Sequence, residues 1–513
     1  MTERTTEPNF GSSLKWQSVN VVVQVVLQLG FIAALARLIP TDAFGIMAIA
    51  LVVVGFIEIF AQVGIGPSLI QSPEVTRDHR KTAFAFSLLL GVIFFVGVYF
   101  TSPIVAEFYG EPLLTDVLRW IALSFIISGA SVVPRSMLIK EMKFKSLFFC
   151  SATAMIIGNL IIGLTLAYNG AGIWAYVVSL LAQNTLLSIG YWVAYPGPVG
   201  ITMNSTALKE MLGYGSRSTL FNILNYAASK VDTAIIGAST SNWTLTGFYD
   251  RSSYLMGLPV TVLGKLSDSV LFSGMSMMQD DKGRLKHTVL SAIHAVTLIV
   301  IPLTALLVLR AGDFTAIILG SKYAEAVPIV MVLFLCVGMR SFIKIGDAAL
   351  RATDQLGVGA IIKTIFLISL TVGVIRATSV PEVGESSIIN AAWAVVAATA
   401  LQAALMGGWI VIGMQIKIIK LLHSLVPGLL LMLIVIASSK GLEQIMSATL
   451  YGENILPELA HAIEIIILIL TSGLIAFLAL CIKPNIFDGG APSLRKKLFG
   501  NLPNSKLKER LQR

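Results

Sequence analysis

Residues 14–38 read LKWQSVNVVVQVVLQLGFIAALARL, and this stretch decides the fold. The twenty residues between Trp16 and Arg37 carry no charge, and twenty apolar residues in a helix cross about 30 Å of hydrocarbon. Ser13, Gln17, Asn20, Gln24 and Gln28 recur at helical spacing, which gives the predicted helix one polar face. The segment follows a polar stretch of about a dozen residues and is not followed by a small-residue cleavage site, so it reads as a retained span and not as a signal peptide.

The same pattern continues outward from it. The 513 residues are 56% hydrophobic and 13% charged, with a mean hydropathy of +0.83, whereas soluble domains carry about 25% charged residues. A water-soluble globular protein is excluded. Apolar windows predict an all-α, polytopic membrane protein of about fourteen helices, at residues 14–38, 44–63, 83–100, 117–133, 148–167, 173–193, 218–238, 254–271, 292–309, 326–342, 358–375, 388–412, 421–438 and 462–482. Cys150, Cys336 and Cys481 all lie in apolar stretches far apart, a pattern that offers neither a disulfide framework nor a zinc site.

Charge sets the expected orientation. With the N-terminus inside, 26 of the 37 Lys and Arg fall at inner ends and tails, and the outer side keeps seven: Arg37, Arg119, Arg251, Arg310, Lys322, Arg376 and Lys440. Arg217, Lys230, Lys265 and Lys363 fall in or at the edge of spans. The positive-inside rule then places both termini in the cytoplasm, which an even number of spans requires. A net charge of +9 invites a nucleic-acid reading, but the basic residues sit in short loops and in the tail 483–513 without interleaved aromatics. Anionic membrane lipid is the expected partner of that tail, and nucleic acid is not expected.

A weak duplication organises the chain. The stretch 40–45 (PTDAFG) resembles that at 243–248 (WTLTGF), with Gly45 matching Gly247 at an offset of 202, which also pairs Asn20 with Asn222; 106–111 (AEFYGE) resemble 316–321 (AIILGS) at 210; and 172–175 (GIWA) resemble 391–394 (AAWA) at 219. Three collinear matches predict two six-helix lobes, residues 1–200 and 201–416, related by a pseudo-two-fold axis along the membrane normal. Two extra helices would follow over 417–482, then a basic cytoplasmic tail over 483–513. Transporters that rock two bundles about a central site are built on such repeats.

Polar residues inside the spans supply the candidate site. The stripe on helix 1 includes Gln24 and Gln28, and its repeat partner carries Ser218, Asn222, Asn225, Ser229 and Asp232. Such faces turn toward the bundle interior or a wet cavity, since lipid would penalise them. Lys230 and Lys265 fall near half the bilayer depth, and Arg251 shares a helix face with Lys265. Against Asp232, Asp250 and Asp268, the cations Arg217, Lys230, Arg251 and Lys265 leave a modest positive excess that suits an anionic substrate group. Asp232 and Asp268 are candidate pairing partners, and Glu58 is either a coupling carboxylate or a buried structural acid. The five histidines lack a second ligand at metal spacing, and neither a Walker loop nor a dinucleotide fingerprint occurs. The reading is therefore of a non-enzyme without metal or cofactor.

The stretches 34–45 (ALARLIPTDAFG) and 63–71 (VGIGPSLIQ), with Val133-Pro134-Arg135 and Tyr249-Asp250-Arg251, resemble the Wzx-type polysaccharide repeat-unit flippases of the multidrug/oligosaccharidyl-lipid/polysaccharide exporter superfamily. The likeness spans residues 10–420. It implies a V-shaped pair of six-helix lobes in the bacterial inner membrane that moves undecaprenyl-pyrophosphate-linked oligosaccharide to the outer leaflet for exopolysaccharide or lipopolysaccharide synthesis. Polysaccharide polymerase and chain-length machinery are the partners it suggests. In that picture Lys230, Lys265, Arg251 and Arg217 meet the pyrophosphate, and Asn222, Asn225, Gln24 and Gln28 meet the sugars. The competing readings are a cation-coupled multidrug exporter, which needs excess cavity carboxylates, and a membrane-embedded polymerase or ligase, which needs a large outer loop.

Overall fold

Helices open where capping residues stand and continue through the apolar windows. The structure, a computed structural model, describes residues 10–61, 65–72, 74–197, 200–266, 275 and 281–449. Its elements are α1 (Phe10–Leu38), α2 (Thr41–Ala61), α3 (Ile65–Gln71), α4 (Arg77–Tyr109), α5 (Leu113–Lys140), α6 (Phe144–Met155), α7 (Leu164–Tyr168), α8 (Ile173–Ala194), α9 (Ser205–Ser239) and α10 (Trp243–Leu266). They continue with α11 (Lys282–Leu309), α12 (Ala311–Leu319), α13 (Val327–Phe334), α14 (Cys336–Ala352), α15 (Leu356–Thr378), α16 (Glu385–Ile412) and α17 (Ile418–Thr449). A π-helical segment, Ile156–Gly163, joins α6 to α7, and a 3-10 turn, Ser321–Ala326, leads into α13. Among the described residues all regular structure is helical. The side chains of Thr76, Asn204 and Asp281 accept backbone N–H groups of the first turns of α4, α9 and α11, a standard way to satisfy donors that have no partner in the helix.

Among the described residues ten helices are long and apolar enough to cross a membrane, eleven if the bent pair Ser321–Phe334 and Cys336–Ala352, which meet at 41°, is one span. The expectation of an all-α polytopic membrane protein is met, and the count of about fourteen is not confirmed among the described residues. Residues 462–482 and the tail lie outside the described residues. Helices α9 and α10 are continuous but fall outside the ten, because their polar stripes dilute the apolar signal. One boundary needs correction. The window at 254–271 started eleven residues late: Asn242 Oδ1 accepts the Thr244 N–H at 3.0 Å, and α10 begins at Trp243. Arg251 is thus not in an outer loop but nine residues into a helix.

The chain forms two compact units. One contains residues up to Leu258 with Phe314–Leu333 and Lys363–Ala398, and the other Pro259–Asp313, Phe334–Ile362 and the residues from Thr399 onward. In the first unit, α4 turns Ile93, Phe100, Ile104 and Phe108 outward at helical spacing, each more than half exposed, the pattern of a lipid-facing side. Its other face is lined by small residues. A Cβ on Gly91 would come within 2.5 Å of the Phe125 carbonyl of α5, and one on Gly129 within 2.5 Å of the Ser87 carbonyl of α4. Close backbone approach through paired small residues holds helices together where lipid removes the hydrophobic drive. Gly129→Leu is therefore expected to destabilise the fold by about 1–3 kcal/mol through overpacking. Gly97→Leu, on α4 with open space around it, should melt like the parent protein in detergent, and equal melting of both variants would refute the crossing.

In the second unit, α11 lies against α17, where Thr297 Oγ1 donates to the Ser424 carbonyl at 3.1 Å. There α14 lies against α16: Met406 occupies the space a Cβ on Gly346 would need, and Trp409 Nε1 donates to Gln355 Oε1 at 2.8 Å. Met275, Val289, Ile293, Ala349 and Ile410 fill the core of this unit.

One of the sequence matches keeps a positive-φ glycine in both copies. Gly110 (φ 67°) and Gly320 (φ 88°) each follow a helix, and the N–H of each reaches the carbonyl four residues back, Ala106 or Ala316. Only glycine adopts that conformation without steric cost. The third match differs locally, since Gly172 precedes α8 while Ala391 lies inside α16.

Candidate functional site

The candidate residues separate into three groups within the first unit. The first is on α1. Gln24 Nε2 donates to Asn20 Oδ1 at 3.1 Å, and Ser151 Oγ of α6 donates to the same oxygen at 2.9 Å. This part of the stripe binds helices together. Gln28, one turn further, is half-buried.

The second group surrounds α9. Asn225 Oδ1 accepts from the ammonium of Lys363 at 2.5 Å, and Lys363 is only 5% exposed on α15. The neighbouring Tyr226 donates to the carbonyls of Leu51 (3.0 Å) and Val52 (2.9 Å) in α2, and its hydroxyl occupies the place of a side chain at Gly55. Glu58, one turn along from Gly55, lies within electrostatic reach of that phenol. Asp232 is buried and accepts the Tyr249 hydroxyl of α10 at 2.7 Å, so a phenol from a neighbouring helix shields this carboxylate. Lys230 stands half-buried between Asn225 and Asp232 in sequence, and none of its hydrogen bonds or ion pairs is with another described residue.

The third group is a charge enclosed by rings. Arg251 is 4% exposed, its Nε donates to Asp250 Oδ2 at 3.0 Å, and its terminal nitrogen contacts the same oxygen. The guanidinium lies over the rings of Phe44 at 4.6 Å and Tyr254 at 5.2 Å, a geometry that adds cation–π attraction to the ion pair. Tyr323 stacks edge-on to Phe44 and Phe248. In this conformation Arg251 is enclosed within the protein. The side chains of Arg217, Asn222, Lys265 and Asp268 lie outside the described residues, so the grouping of those candidates stays an expectation.

Sequence reading passed over Lys363, counting it only among cations at the edges of spans. Its partner Asn225 lies 138 positions away, and a lone lysine eight residues into an apolar helix was the one available signal. Among the described residues, clusters of three His, Cys, Asp or Glu able to hold a metal are absent.

The fold has solved counterparts. The lipid II flippase MurJ in its inward closed conformation aligns with a TM-score of 0.70 at 13% identity, covering 90% of this chain and 98% of that one. An inward-facing multidrug resistance MATE family transporter of the MOP superfamily aligns at 0.61 and 15% identity, covering 79% and 98%. The fold is the one these multi-pass membrane transporters share. The chain belongs to the family of polysaccharide biosynthesis proteins, matched over residues 34–328. Its relatives include an uncharacterized membrane protein of the cps region of Klebsiella pneumoniae, 26% identical, covering 64% of this chain and 68% of the relative. The lipopolysaccharide biosynthesis protein WzxC of Escherichia coli (strain K12) is 23% identical, covering 64% and 67%.

Proposed function

We propose that this transporter flips undecaprenyl-pyrophosphate-linked oligosaccharide repeat units from the inner to the outer leaflet of a bacterial inner membrane, for exopolysaccharide or lipopolysaccharide assembly. The observation that carries the reading is the polar face of α9, where Asn225, Lys230 and Asp232 interrupt a membrane helix and Lys363 joins them from α15. Amides and hydroxyls suit sugar hydroxyls, and an ammonium such as that of Lys230, with no partner among the described residues, suits a diphosphate. Lys230 takes the diphosphate in this reading, with Lys265, Arg217 and Arg251 as further contacts. Asn222 and Gln28 face the sugars in this reading, joined by Asn225 and Gln24 in conformations where their bonds to Lys363 and Asn20 open. Residues 1–200 and 201–416 form the two lobes, followed by 417–482 and the basic tail, and a polysaccharide polymerase receives the product.

Deleting the gene should trap lipid-linked repeat units on the inner leaflet, where a periplasmic glycan-modifying enzyme cannot reach them. Normal outer-leaflet labelling in the deletion strain would refute the reading. The fold's likeness to MATE transporters keeps multidrug export as the alternative, and drug sensitivity in the same strain with normal polysaccharide would favour it.

Orientation has its own test. With 26 of 37 basic residues on one side, the start of α11 is expected in the cytoplasm. Lys282→Cys should resist a membrane-impermeant maleimide in intact cells and react in inverted vesicles; the opposite pattern would reverse the topology.

A further inference from the structure

We infer that Arg37 and Lys322 form a latch that closes the transporter at the end where α1 meets α2 and has to release in each transport cycle. The inference rests on the proposed flippase reading and on the expected N-in orientation, which makes this the outer end. Arg37 extends two nitrogens to the last turn of α12: Nη2 to the carbonyls of Ala316 (3.1 Å) and Ile317 (2.7 Å), and Nη1 to that of Ile318 (3.0 Å). The carbonyls of Ile317 and Ile318 lie in the last turn of α12, where helix carbonyls lack an intrahelical N–H partner, while that of Ala316 also accepts the Gly320 N–H at 3.0 Å; a basic side chain is a natural cap for such an end. Gly320 ends α12 at φ 88° and leaves its face bare, so that a Cβ there would sit 3.2 Å from Arg37 Cγ. The exchange is mutual. Lys322 Nζ donates to the carbonyl of Arg37 itself at 2.8 Å, in the last turn of α1. The end of α12 is thus capped by a side chain of α1, and the end of α1 by a side chain of the 3-10 turn that follows α12.

An independent contact joins the same two halves of the sequence. Gly45 of α2 and Gly247 of α10 are 202 positions apart, the offset of the sequence repeat. A Cβ on Gly45 would collide with the Trp243 carbonyl, and one on Gly247 with the Thr41 carbonyl. Thr41 and Trp243 are themselves 202 apart, so the crossing is reciprocal. Two backbones meeting without side chains between them can part without unthreading, and capping hydrogen bonds can be exchanged for water. A diphosphate with sugars cannot leave through lipid. A route at this end exists only if α1 and α2 separate from α10 and α12, which means that the Arg37 and Lys322 contacts break and re-form. Arg37 is therefore a positioning residue for the closed state and has no need to touch the substrate.

Thr246 is fully buried beside this crossing and serves as reporter. In a variant with Cys150, Cys336 and Cys481 changed to serine, Thr246→Cys is introduced and its reaction with a membrane-impermeant maleimide is timed in intact cells and in inverted vesicles. Adding Arg37→Ala is expected to accelerate labelling in intact cells at least tenfold and to slow export. Arg37→Lys, whose single ammonium cannot reach three carbonyls at once, should give an intermediate rate, and Lys322→Ala a smaller rise. Acceleration seen only in inverted vesicles would keep the latch and overturn the orientation on which its outer placement rests. Unchanged labelling from both sides in Arg37→Ala would overturn the latch. If that variant does not accumulate, unchanged labelling in Arg37→Lys and Lys322→Ala would overturn it equally.

Discussion

Asp250→Ala is expected to remove most of the protein from the membrane. The carboxylate it deletes is the ion-pair partner of Arg251, and both side chains are less than a tenth exposed. Without Asp250 the guanidinium is left among neutral neighbours, the rings of Phe44 and Tyr254 and the Tyr176 hydroxyl, which do not neutralise a charge held away from water. Breaking one side of a buried pair costs about 3–5 kcal/mol, a large part of the roughly 5–15 kcal/mol that holds an ordinary domain folded. Replacing both partners with apolar residues of similar volume removes charge and counter-charge together and is often close to neutral. The double variant Asp250→Leu with Arg251→Met should therefore return to parental abundance, read as fluorescence of a fused reporter and as melting in detergent. Parental abundance of Asp250→Ala alone would show that the pair does not hold the fold. A double variant that accumulates but does not export would assign Arg251 a second task in another conformation of the cycle.

The sequence disclosed most of the helices because lipid imposes long uncharged runs, and α4, α5, α8 and α16 contain their predicted windows. Its errors share one physical cause. Where a membrane helix buries polar residues against other helices, hydropathy falls and the window shrinks, so that Thr244, Thr246, Asp250 and Arg251 were read as a loop when they are the first turns of α10. The polar stripes were legible as stripes, but their partners were not. Asn20 could have faced a cavity as well as Ser151, and only tertiary contact distinguishes the two. Arg37 is the clearest case. On a hydropathy scale it is an arginine at the outer end of a span, whereas in the structure it caps carbonyls 279 to 281 positions away. Long-range capping of that kind leaves no periodicity in either segment, so neither stretch announces the other.

Lys230→Ala is the variant expected to lower export most while sparing the fold. A lysine placed this deep costs about 3 kcal/mol on insertion, and in this conformation its ammonium has no partner among the described residues. Its neighbours cannot serve: Asp232 is engaged by Tyr249, and Asn225 by Lys363. A group that contributes nothing to the resting structure should be removable without loss of abundance, which separates it from Asp250. If it instead meets the diphosphate, its removal forfeits hydrogen bonds to a charged group worth about 1.5–3 kcal/mol, or roughly ten- to hundredfold in transport rate, each 1.4 kcal/mol being about tenfold. Lys230→Arg keeps the charge and should retain a substantial fraction of activity. Lys230→Gln keeps length and hydrogen bonding without charge and should resemble alanine. Export measured as polymer per unit of membrane protein decides between the roles. A parental rate in Lys230→Ala would remove Lys230 from the substrate path, and a loss shared equally by Lys230→Arg would point to shape rather than charge at that position.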